Sequence, residues 1–320
     1  MKIYRSLAEV PRDFGPSALT IGNFDGVHYG HRRILRRMKA LADARGWKPS
    51  VLTFDPHPTR VVAPERTPPL LTAPGQRAEL MREEGIEQVL ILPFTSEVAQ
   101  LSPEEFVTRL VVGTLGARAV LVGDNFRYGH RHAGNVELLQ ALGRKLGFET
   151  EIVAAVSCRG RVVSSSGIRE LIRAGQVSLA ARFLTRPYGL EGRVVAGRGV
   201  GSKQTVPTLN LAAEAEVLPA GGVYITRTRD RTRDWNSLTN VGYRPTFGKS
   251  DELSVETFLL DPLEGETPSR IRVDFLRRLR EERKFDSPEA LRSQILKDVS
   301  TARRYFRRLK AWAGRACISC

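Results

Sequence analysis

The sequence is poor in cysteine and has no long apolar segment. Its 320 residues include three cysteines, Cys158, Cys317 and Cys320, and an odd number spread this widely does not make the disulfide framework of a small secreted protein. No apolar run approaches the roughly 20 residues that a membrane-spanning helix needs. The N-terminal residues MKIYRSLAEVPRDF lack the apolar core of a secretory signal. We therefore expect a cytoplasmic protein without a membrane partner.

Acidic residues are scarce relative to basic ones. The 35 Asp and Glu against 50 Lys and Arg give a formal net charge of +15. Such a balance attracts polyanions, so a nucleic-acid partner has to be considered. The basic residues are scattered over the whole chain, however, and small phosphate-bearing ligands are anions too. An Arg-rich surface that only faces solvent is the third explanation, and composition alone leaves all three open.

The length favours two domains, and the first half of the chain predicts the first of them. Short apolar runs alternate there with amphipathic stretches, which is typical of β-α-β units and of a Rossmann-like parallel sheet with helices on both faces. The apolar runs are Ala18–Ile21, Ser50–Phe54, Val89–Leu92 and Ala119–Val122. The amphipathic stretches are Arg32–Ala44, Pro74–Glu84, Pro103–Leu115 and Val136–Leu146.

The second half changes pattern near Arg182–Gly189. Strand-like segments now follow one another across Gly, Pro and polar turns without a long helix between them, which predicts a small antiparallel β-barrel. Ser287 and Pro288 then favour the start of a C-terminal helix. The predicted strands are Glu191–Ala196, Gly222–Thr228, Ser237–Val241, Ser254–Leu260 and Arg270–Phe275.

The motif GNFDGVHYGH, residues 22–31, follows the first predicted strand. His28 and His31 are spaced to face the same side of a starting helix, whose N-terminal N–H groups and dipole favour a phosphate chain. Gly26 and Gly30 allow the backbone to approach a ligand closely. Two imidazoles and helix amides suit the charge that develops in attack on a phosphorus atom. A metal-binding pair or a solvated helix start is the alternative.

Three further segments follow predicted strands or precede a predicted helix. TFDPHP places His57 between two prolines, and GDNFRYGH offers the polar Asp124 and Asn125 beside aromatic rings that can stack on a flat ligand. VVSSSGIRE predicts another anion-binding helix start, with Ser164–Ser166 before the helix and Arg169 in its first turn. Each segment alone is also compatible with a purely structural role.

The second half contains a different set of polar residues. In AGRGVGSKQTVPTLNL, residues 196–211, an extended chain would project Thr208 and Asn210 from the same face, and their oxygen atoms suit Mg²⁺. In SVETFLL, residues 254–260, Glu256 lies on an otherwise apolar face. Burial would raise the pKa of that carboxyl and make it a base towards an alcohol. An exposed edge strand with Glu256 turned to water is the alternative.

Taken in order, these motifs resemble the bacterial bifunctional riboflavin kinase/FAD synthetases. The N-terminal match consists of GNFDGVHYGH, DPHP, GDNFRYGH and SSSGIR. The C-terminal match consists of PTLN, GVY, NVGYRPTFG and LREERKF. The chain departs from the family pattern at Ser166, where Thr is common, and at Leu209, where Ala is common. The resemblance implies Mg²⁺-dependent phosphorylation of riboflavin to FMN by ATP, followed by adenylylation of FMN to FAD.

The resemblance also assigns roles to residues of this chain. It implies that His28, His31 and Glu256 are catalytic. ATP in the adenylyltransferase site would contact Gly22, Asn23, Phe24, His28, His31, Ser164, Ser166 and Arg169. The flavin in that site would contact His57, Asp124, Asn125 and Phe126. ATP in the kinase site would contact Gly197, Gly199, Gly201, Thr208, Asn210 and Tyr224, with Mg²⁺ on Thr208 and Asn210 and the flavin beside Arg280 and Phe285.

The resemblance further predicts how the chain is divided and what it binds. Residues 1–183 would form the adenylyltransferase domain and 184–312 the kinase domain. Residues 313–320 are expected to form a disordered tail, because chain ends are often poorly ordered. The expected partners are the small-molecule substrates, without nucleic acid or an obligatory protein partner. A different nucleotidyltransferase, acting on a pantetheine or glycerol phosphate, would leave the second half without a use, and a nucleic-acid-binding protein would bind in a strongly salt-dependent way.

Overall fold

The computed structural model describes residues 1–195, 208–246 and 249–316. The chain divides into two compact units, Met1–Ser165 and Ser166–Cys320. The predicted ATP contacts Gly197, Gly199 and Gly201 lie outside the described residues. Within the described ranges, no helix is long and apolar enough to cross a membrane.

The first unit alternates strands and helices. Its strands are β1 (Lys2–Tyr4), β2 (Ser17–Ile21), β3 (Lys48–Asp55), β4 (Gln88–Pro93), β5 (Ala117–Gly123), β6 (Glu149–Val153), β7 (Ser157–Cys158) and β8 (Arg161–Val162). Its helices are α1 (Tyr29–Arg45), α2 (Pro58–Val62), α3 (Pro74–Glu83), α4 (Ser96–Gln100), α5 (Pro103–Glu105, continued by a π-helical segment Phe106–Thr114) and α6 (Val136–Leu146).

The six strands β1 to β6 form one parallel sheet in the order β1-β4-β3-β2-β5-β6. After β2, the strands β3 and β4 are therefore added on one side of β2, and β5 and β6 are added on its other side. The loops that follow β2 and β5 leave the sheet side by side at this switch in strand order, which is where α/β sheets bind ligands. The motifs at residues 22–31 and 123–130 are these two loops.

Helices cover both faces of the sheet, as the sequence predicts. All five residues of β2 are buried, because alternate side chains pack into different cores. On one face Leu19 and Leu52 pack with the π-helical segment Phe106–Thr114 and α6. On the other face Ala18 and Val51 pack with α1 and α3. Such two-sided burial explains the continuous apolar character of the strand sequences.

The second unit begins with two helices and continues as a barrel. Its helices are α7 (Ser165–Arg173, whose first residue is the last of the first unit), α8 (Val177–Leu184) and α9 (Pro288–Ala316). Its strands are β9 (Tyr188–Val195), β10 (Thr208–Ala213), β11 (Gly222–Arg229), β12 (Asp234–Thr246), β13 (Lys249–Leu259) and β14 (Arg270–Arg280). They close into an antiparallel barrel in the order β10-β13-β12-β11-β14-β9.

The barrel interior contains a row of hydroxyl groups. Thr226 lies within 2.8 Å of both Ser237 and Thr239, and Thr239 lies 3.0 Å from Thr257, so fully buried hydroxyls satisfy one another. Alternation along each strand then places the neighbouring apolar side chains outside the barrel. There they pack against α9 around Phe306. The side chains next to Thr257 in sequence, including Glu256, therefore point out of the barrel.

The fold class predicted from the sequence is confirmed: a Rossmann-like domain precedes an antiparallel barrel with a C-terminal helix. The predicted boundary between residues 183 and 184 remains a prediction, while the two compact units separate between Ser165 and Ser166. Helix α9 continues to Ala316, into the tail that the sequence predicts to be disordered. Cys317 and Cys320 lie outside the described residues.

Candidate active sites

The loop after β2 has a strained backbone held by a buried carboxylate. Phe24, Gly26 and Val27 have φ values of 50°, 81° and 36°, a left-handed region that costs a non-glycine residue energy and persists only when its surroundings enforce it. Asp25, 2% exposed, accepts hydrogen bonds from the N–H groups of Leu71 and Thr72 at 3.0 and 3.1 Å. These contacts within the protein hold the loop in its strained conformation.

The two histidines lie together at the start of α1. The His28 and His31 rings are stacked, with centroids 3.7 Å apart and planes 15° apart, so they share one side as the spacing predicts. His28 is also the N-cap residue, because its Nδ1 accepts a hydrogen bond from the His31 N–H at 3.3 Å. A neutral His28 ring thus carries its proton on Nε2, where it can donate. Within the described ranges, no group of three or more His, Cys, Asp or Glu residues is arranged to hold a metal ion.

Asn23 lies at the centre of a second set of contacts. Its Nδ2 is 3.0 Å from His57 Nε2, and its carbonyl oxygen accepts from Arg77 Nη1 at 2.8 Å and from Thr53 Oγ1 at 3.4 Å. Arg77 is 5% exposed, and burial lowers the pKa of its guanidinium, although Asp25 and Asp55 oppose that shift. The buried guanidinium of Arg77 therefore stabilises the backbone of the loop after β2 through the Asn23 carbonyl.

A cavity of about 630 Å³ opens between the loops after β2, β3 and β5. Its lining includes five residues predicted to bind the flavin or ATP. It also includes aromatic rings from the β5 loop, where Phe126 and Tyr128 stack with centroids 5.4 Å apart. Burial, with a smaller contribution from Glu104, raises the pKa of Tyr128 to about 12, so its phenol is uncharged at neutral pH. The five predicted residues are Gly22, Asn23, His57, Asn125 and Phe126. Its size and mixed lining suit a flat, polar-edged ligand.

Other predicted residues lie elsewhere in or near this region. His28, His31 and Phe24 are not among the cavity-lining residues, although Phe24 contacts the His31 ring edge-on at 5.1 Å. Asp124 also lies outside the lining, and its carboxylate accepts a hydrogen bond from the Ala155 N–H at 3.1 Å. Asp124 therefore has a structural role in its loop, as the acceptor of this hydrogen bond.

The third predicted segment differs in detail from the prediction. Helix α7 begins at Ser165, so Ser164 immediately precedes it, but Ser166 is already helical and Arg169 lies in the second turn. The prediction that Ser164–Ser166 all precede the helix was wrong, because the helix starts two residues earlier than expected. The Ser165 hydroxyl, at the end of the first unit, donates to the Asp25 carbonyl at 2.9 Å. Arg169 is 7% exposed.

In the barrel, three polar residues form a row across adjacent strands. Glu256 of β13 is in register with Asn210 of β10 on one side and with Asn240 of β12 on the other. Residues in register project from the same face of a sheet, so the three side chains lie together on the outer face of the barrel. Glu256 is half-buried, and β13 has a partner strand on both sides, which rules out the exposed-edge alternative.

Thr208 and Asn210 fit a magnesium ion by the chemistry of their donors. Thr208 is the exposed first residue of β10 and Asn210 is 6% exposed, two residues further along the same strand. Both therefore project from the outer face that carries Glu256. Hydroxyl, amide and carboxylate oxygens are the hard ligands that Mg²⁺ prefers, with water and phosphate completing its shell.

Next to this row, the last residue of β14 forms a hydrogen bond with α9. Arg280 Nε donates to Asp298 Oδ2 at 2.9 Å, and Gln294 Nε2 donates to the other carboxylate oxygen at 2.7 Å. The Arg280 guanidinium lies 5.8 Å from the centre of the Phe285 ring. The two residues predicted to border the flavin are thus brought together, and Asp298, 5% exposed, fixes one of them.

Tyr224 lies inside the barrel. Its side chain is fully buried, packs edge-on against Phe275 and donates its hydroxyl proton to the Ala220 carbonyl at 2.5 Å. Burial raises the pKa of this hydroxyl, although Arg278 opposes the shift. This position gives no support to the predicted contact of Tyr224 with ATP.

Four residues of these sites were missed in the sequence. Asp25 and Arg77 are separated by 52 positions, and Arg77 lies on a helix that reads as amphipathic, so nothing local marks it. Asp298 lies in the predicted C-terminal helix, where an acid among basic residues is a weak signal. The fourth missed residue is Glu282, which belongs to the motif LREERKF. An ideal Cβ at Gly242 would lie 2.5 Å from Glu282 Oε1, so Glu282 places a second carboxylate near Glu256 and Asn240.

Fold and sites together define a nucleotide-binding α/β unit joined to a phosphotransferase-like β-barrel. A family model for FAD synthetase matches residues 10–167, and one for riboflavin kinase matches residues 184–306. The chain is 35% identical to the bifunctional riboflavin kinase/FMN adenylyltransferase of Pseudomonas fluorescens, covering 95% of this chain and 97% of that protein. The enzyme of the same name from Escherichia coli K12 is 32% identical, with coverage of 96% and 98%.

The chain therefore belongs to the bifunctional riboflavin kinase/FMN adenylyltransferase family. Among solved structures, one described as a macrolide-efflux protein from Streptococcus pneumoniae has a TM-score of 0.84 at 26% identity, covering 94% of this chain and 98% of that chain. That name applies to the other protein. The likeness extends over the folds of both units.

Proposed function

We propose that this chain performs the two reactions of its family in two separate sites. The barrel transfers the γ-phosphoryl group of ATP to riboflavin, giving FMN and ADP. The α/β unit then transfers the adenylyl group of a second ATP to FMN, giving FAD and diphosphate. The proposal rests mainly on one observation: each unit has its own set of polar residues suited to phosphate chemistry. The first unit has the stacked histidines and Asn23, and the barrel has Glu256 in register with Asn210.

In the α/β unit, the FMN phosphate attacks the α-phosphorus of ATP and diphosphate leaves. Negative charge develops on the non-bridging oxygens and on the leaving group. His28 and His31, held at the N-terminus of α1, donate to these oxygens, and the rigid loop keeps them in place, so catalysis comes from positioning and charge stabilisation. The 630 Å³ cavity holds the flavin against Phe126.

In the barrel, the terminal hydroxyl of the ribityl chain attacks the γ-phosphorus. Glu256 accepts the proton of that hydroxyl as the bond to phosphorus forms. Asn210, which is in register with Glu256, binds the phosphate-bearing substrate. Thr208 and Asn210 would hold the magnesium ion, which when bound offsets the charge of the phosphates. Arg280 and Phe285 border the flavin, with Arg280 kept in place by Asp298.

Two single substitutions test whether the sites are separate. His31→Ala should lower FAD formation from supplied FMN and ATP by at least tenfold, about 1.4 kcal/mol in the barrier, and leave FMN formation from riboflavin near the wild-type rate. Glu256→Gln should do the reverse. Chromatographic separation of riboflavin, FMN and FAD measures both rates in the same sample.

Three outcomes would contradict the proposal. If the wild-type protein formed neither FMN nor FAD with Mg²⁺ and ATP, both proposed activities would be excluded. Equal loss of both activities in either variant would contradict two independent sites. Full kinase activity of Glu256→Gln would exclude the carboxylate as the base.

A further inference from the structure

The contact between Asn23 and His57 determines how the Asn23 amide is oriented. His57 is the N-cap of α2, and its Nδ1 accepts the N–H of Thr59 at 3.3 Å. A ring nitrogen that accepts has a lone pair and no proton. The ring proton of neutral His57 is therefore on Nε2, the nitrogen 3.0 Å from the Asn23 amide.

An N–H group at His57 Nε2 needs an acceptor. The amide nitrogen of Asn23 cannot accept a hydrogen bond, whereas the amide oxygen can, and the two ends of an Asn side chain have nearly the same shape. The consistent arrangement turns the amide so that Oδ1 accepts from His57 Nε2–H. The NH₂ group then occupies the opposite end of the amide.

The rest of Asn23 is fixed by contacts that do not involve the amide. Arg77 and Thr53 both donate to its backbone carbonyl, so the residue cannot easily move away from His57. Asn23 is half-buried and lines the 630 Å³ cavity together with His57. Among the described residues, only His57 forms a hydrogen bond with the Asn23 side chain, so the other end of the amide is left to the ligand.

We propose that His57 is a positioning residue that directs the Asn23 NH₂ group into the cavity, where it donates to a phosphate oxygen of the substrates of adenylyl transfer. Because this inference rests on the proposed function, both are tested in the same assay. His57 acts through Asn23, since its ring nitrogens are engaged by Thr59 and Asn23.

The first test compares Asn23→Asp with Asn23→Ala. In Asn23→Asp one carboxylate oxygen still accepts from His57, but the other presents negative charge to the phosphate. In Asn23→Ala the donor is only lost. We expect kcat/KM for FAD formation from FMN and ATP to fall at least tenfold in Asn23→Ala and at least tenfold further in Asn23→Asp. An amide with its oxygen towards the ligand predicts the reverse order, because aspartate would keep that oxygen.

The second test separates the orienting role of His57 from its capping role. Asn is a favoured N-cap residue, so His57→Asn keeps an acceptor for the Thr59 N–H, but its side chain is too short to reach Asn23. His57→Ala loses both contacts. We expect both variants to lower kcat/KM for FAD formation by similar factors, with the melting temperature of His57→Asn at the wild-type value. FMN formation is the internal control.

Each outcome supports or overturns the proposal. Wild-type activity in His57→Asn, or aspartate at position 23 more active than alanine, overturns it while the proposed function stands. Wild-type protein without FAD formation overturns the proposed function and this inference together.

Discussion

The loop after β2 depends on one buried carboxylate, which gives a sharp prediction. Asp25→Ala would leave the buried N–H groups of Leu71 and Thr72 without the acceptor that now lies 3.0 and 3.1 Å away. Each unsatisfied buried donor costs about 1–3 kcal/mol, so we expect the first unit to lose roughly 2–6 kcal/mol. That is a large share of the 5–15 kcal/mol typical of a domain. The strained loop would also relax and displace the histidines.

Hydrogen exchange resolved by mass spectrometry measures this change in the first unit alone. We expect the amides of Leu71 and Thr72 to lose protection in Asp25→Ala, and FAD formation to fall at least 100-fold while FMN formation continues. Asp25→Asn retains one acceptor oxygen and should lie between the variant and the wild type.

Asp13→Ala is the matched control, because the Asp13 carboxylate is 88% exposed and lies 3.9 Å from Lys48. A change of no more than about 0.5 kcal/mol is expected there. Wild-type protection at positions 71 and 72 together with wild-type FAD formation in Asp25→Ala would refute the reasoning.

Two further predictions concern the barrel. A Cβ at Gly192 would lie 1.8 Å from the Ala212 carbonyl oxygen, so Gly192→Ala should destabilise the barrel by about 3 kcal/mol or more. We expect this variant to lose FMN formation while FAD formation from supplied FMN continues. Retained kinase activity would contradict the prediction and show that the strands adjust. Burial opposes ionisation of Asp230, but hydrogen bonds from Thr232 and Arg233 outweigh it and lower its pKa to about 2. Because the unfolded value is about 3.9, the stability that Asp230 contributes is present above pH ~4 and lost as the pH falls through ~2. Urea unfolding of the wild type and Asp230→Asn should therefore show a difference at pH 6, of at most about 2 kcal/mol because solvent screens a group near the surface. The difference should shrink towards zero as the pH falls below 2, and a difference independent of pH would contradict this.

Local patterns in the sequence were sufficient for the fold class. The predicted strand Ser50–Phe54 lies within the observed Lys48–Asp55, and the predicted helix Val136–Leu146 has those same bounds in the structure. Such agreement is expected where an apolar run or a 3.6-residue period is continuous. Short strands at the edges, such as Lys2–Tyr4, carry too little apolar pattern to be recognised.

The spacing of residues close in sequence was also informative. His28 and His31 stack at the helix start as their three-residue separation predicts, because the helix geometry fixes the face that each side chain occupies. The alternation in SVETFLL likewise predicts that Glu256 and Phe258 share a face. It does not say which face is outside, and only closure of the barrel with α9 on its surface placed Glu256 on the outer side.

Contacts between distant segments were decided by the tertiary structure. The sequence by itself determined the two fold types, the sites' chemical character and the family that the motifs resemble. Only the order of the parallel strands brought His57 and Arg77 to Asn23, and only the barrel register set Asn210 opposite Glu256. The physical reason is that periodicity constrains the nearest few residues of a chain, whereas strand order and register are set by the burial of the whole core.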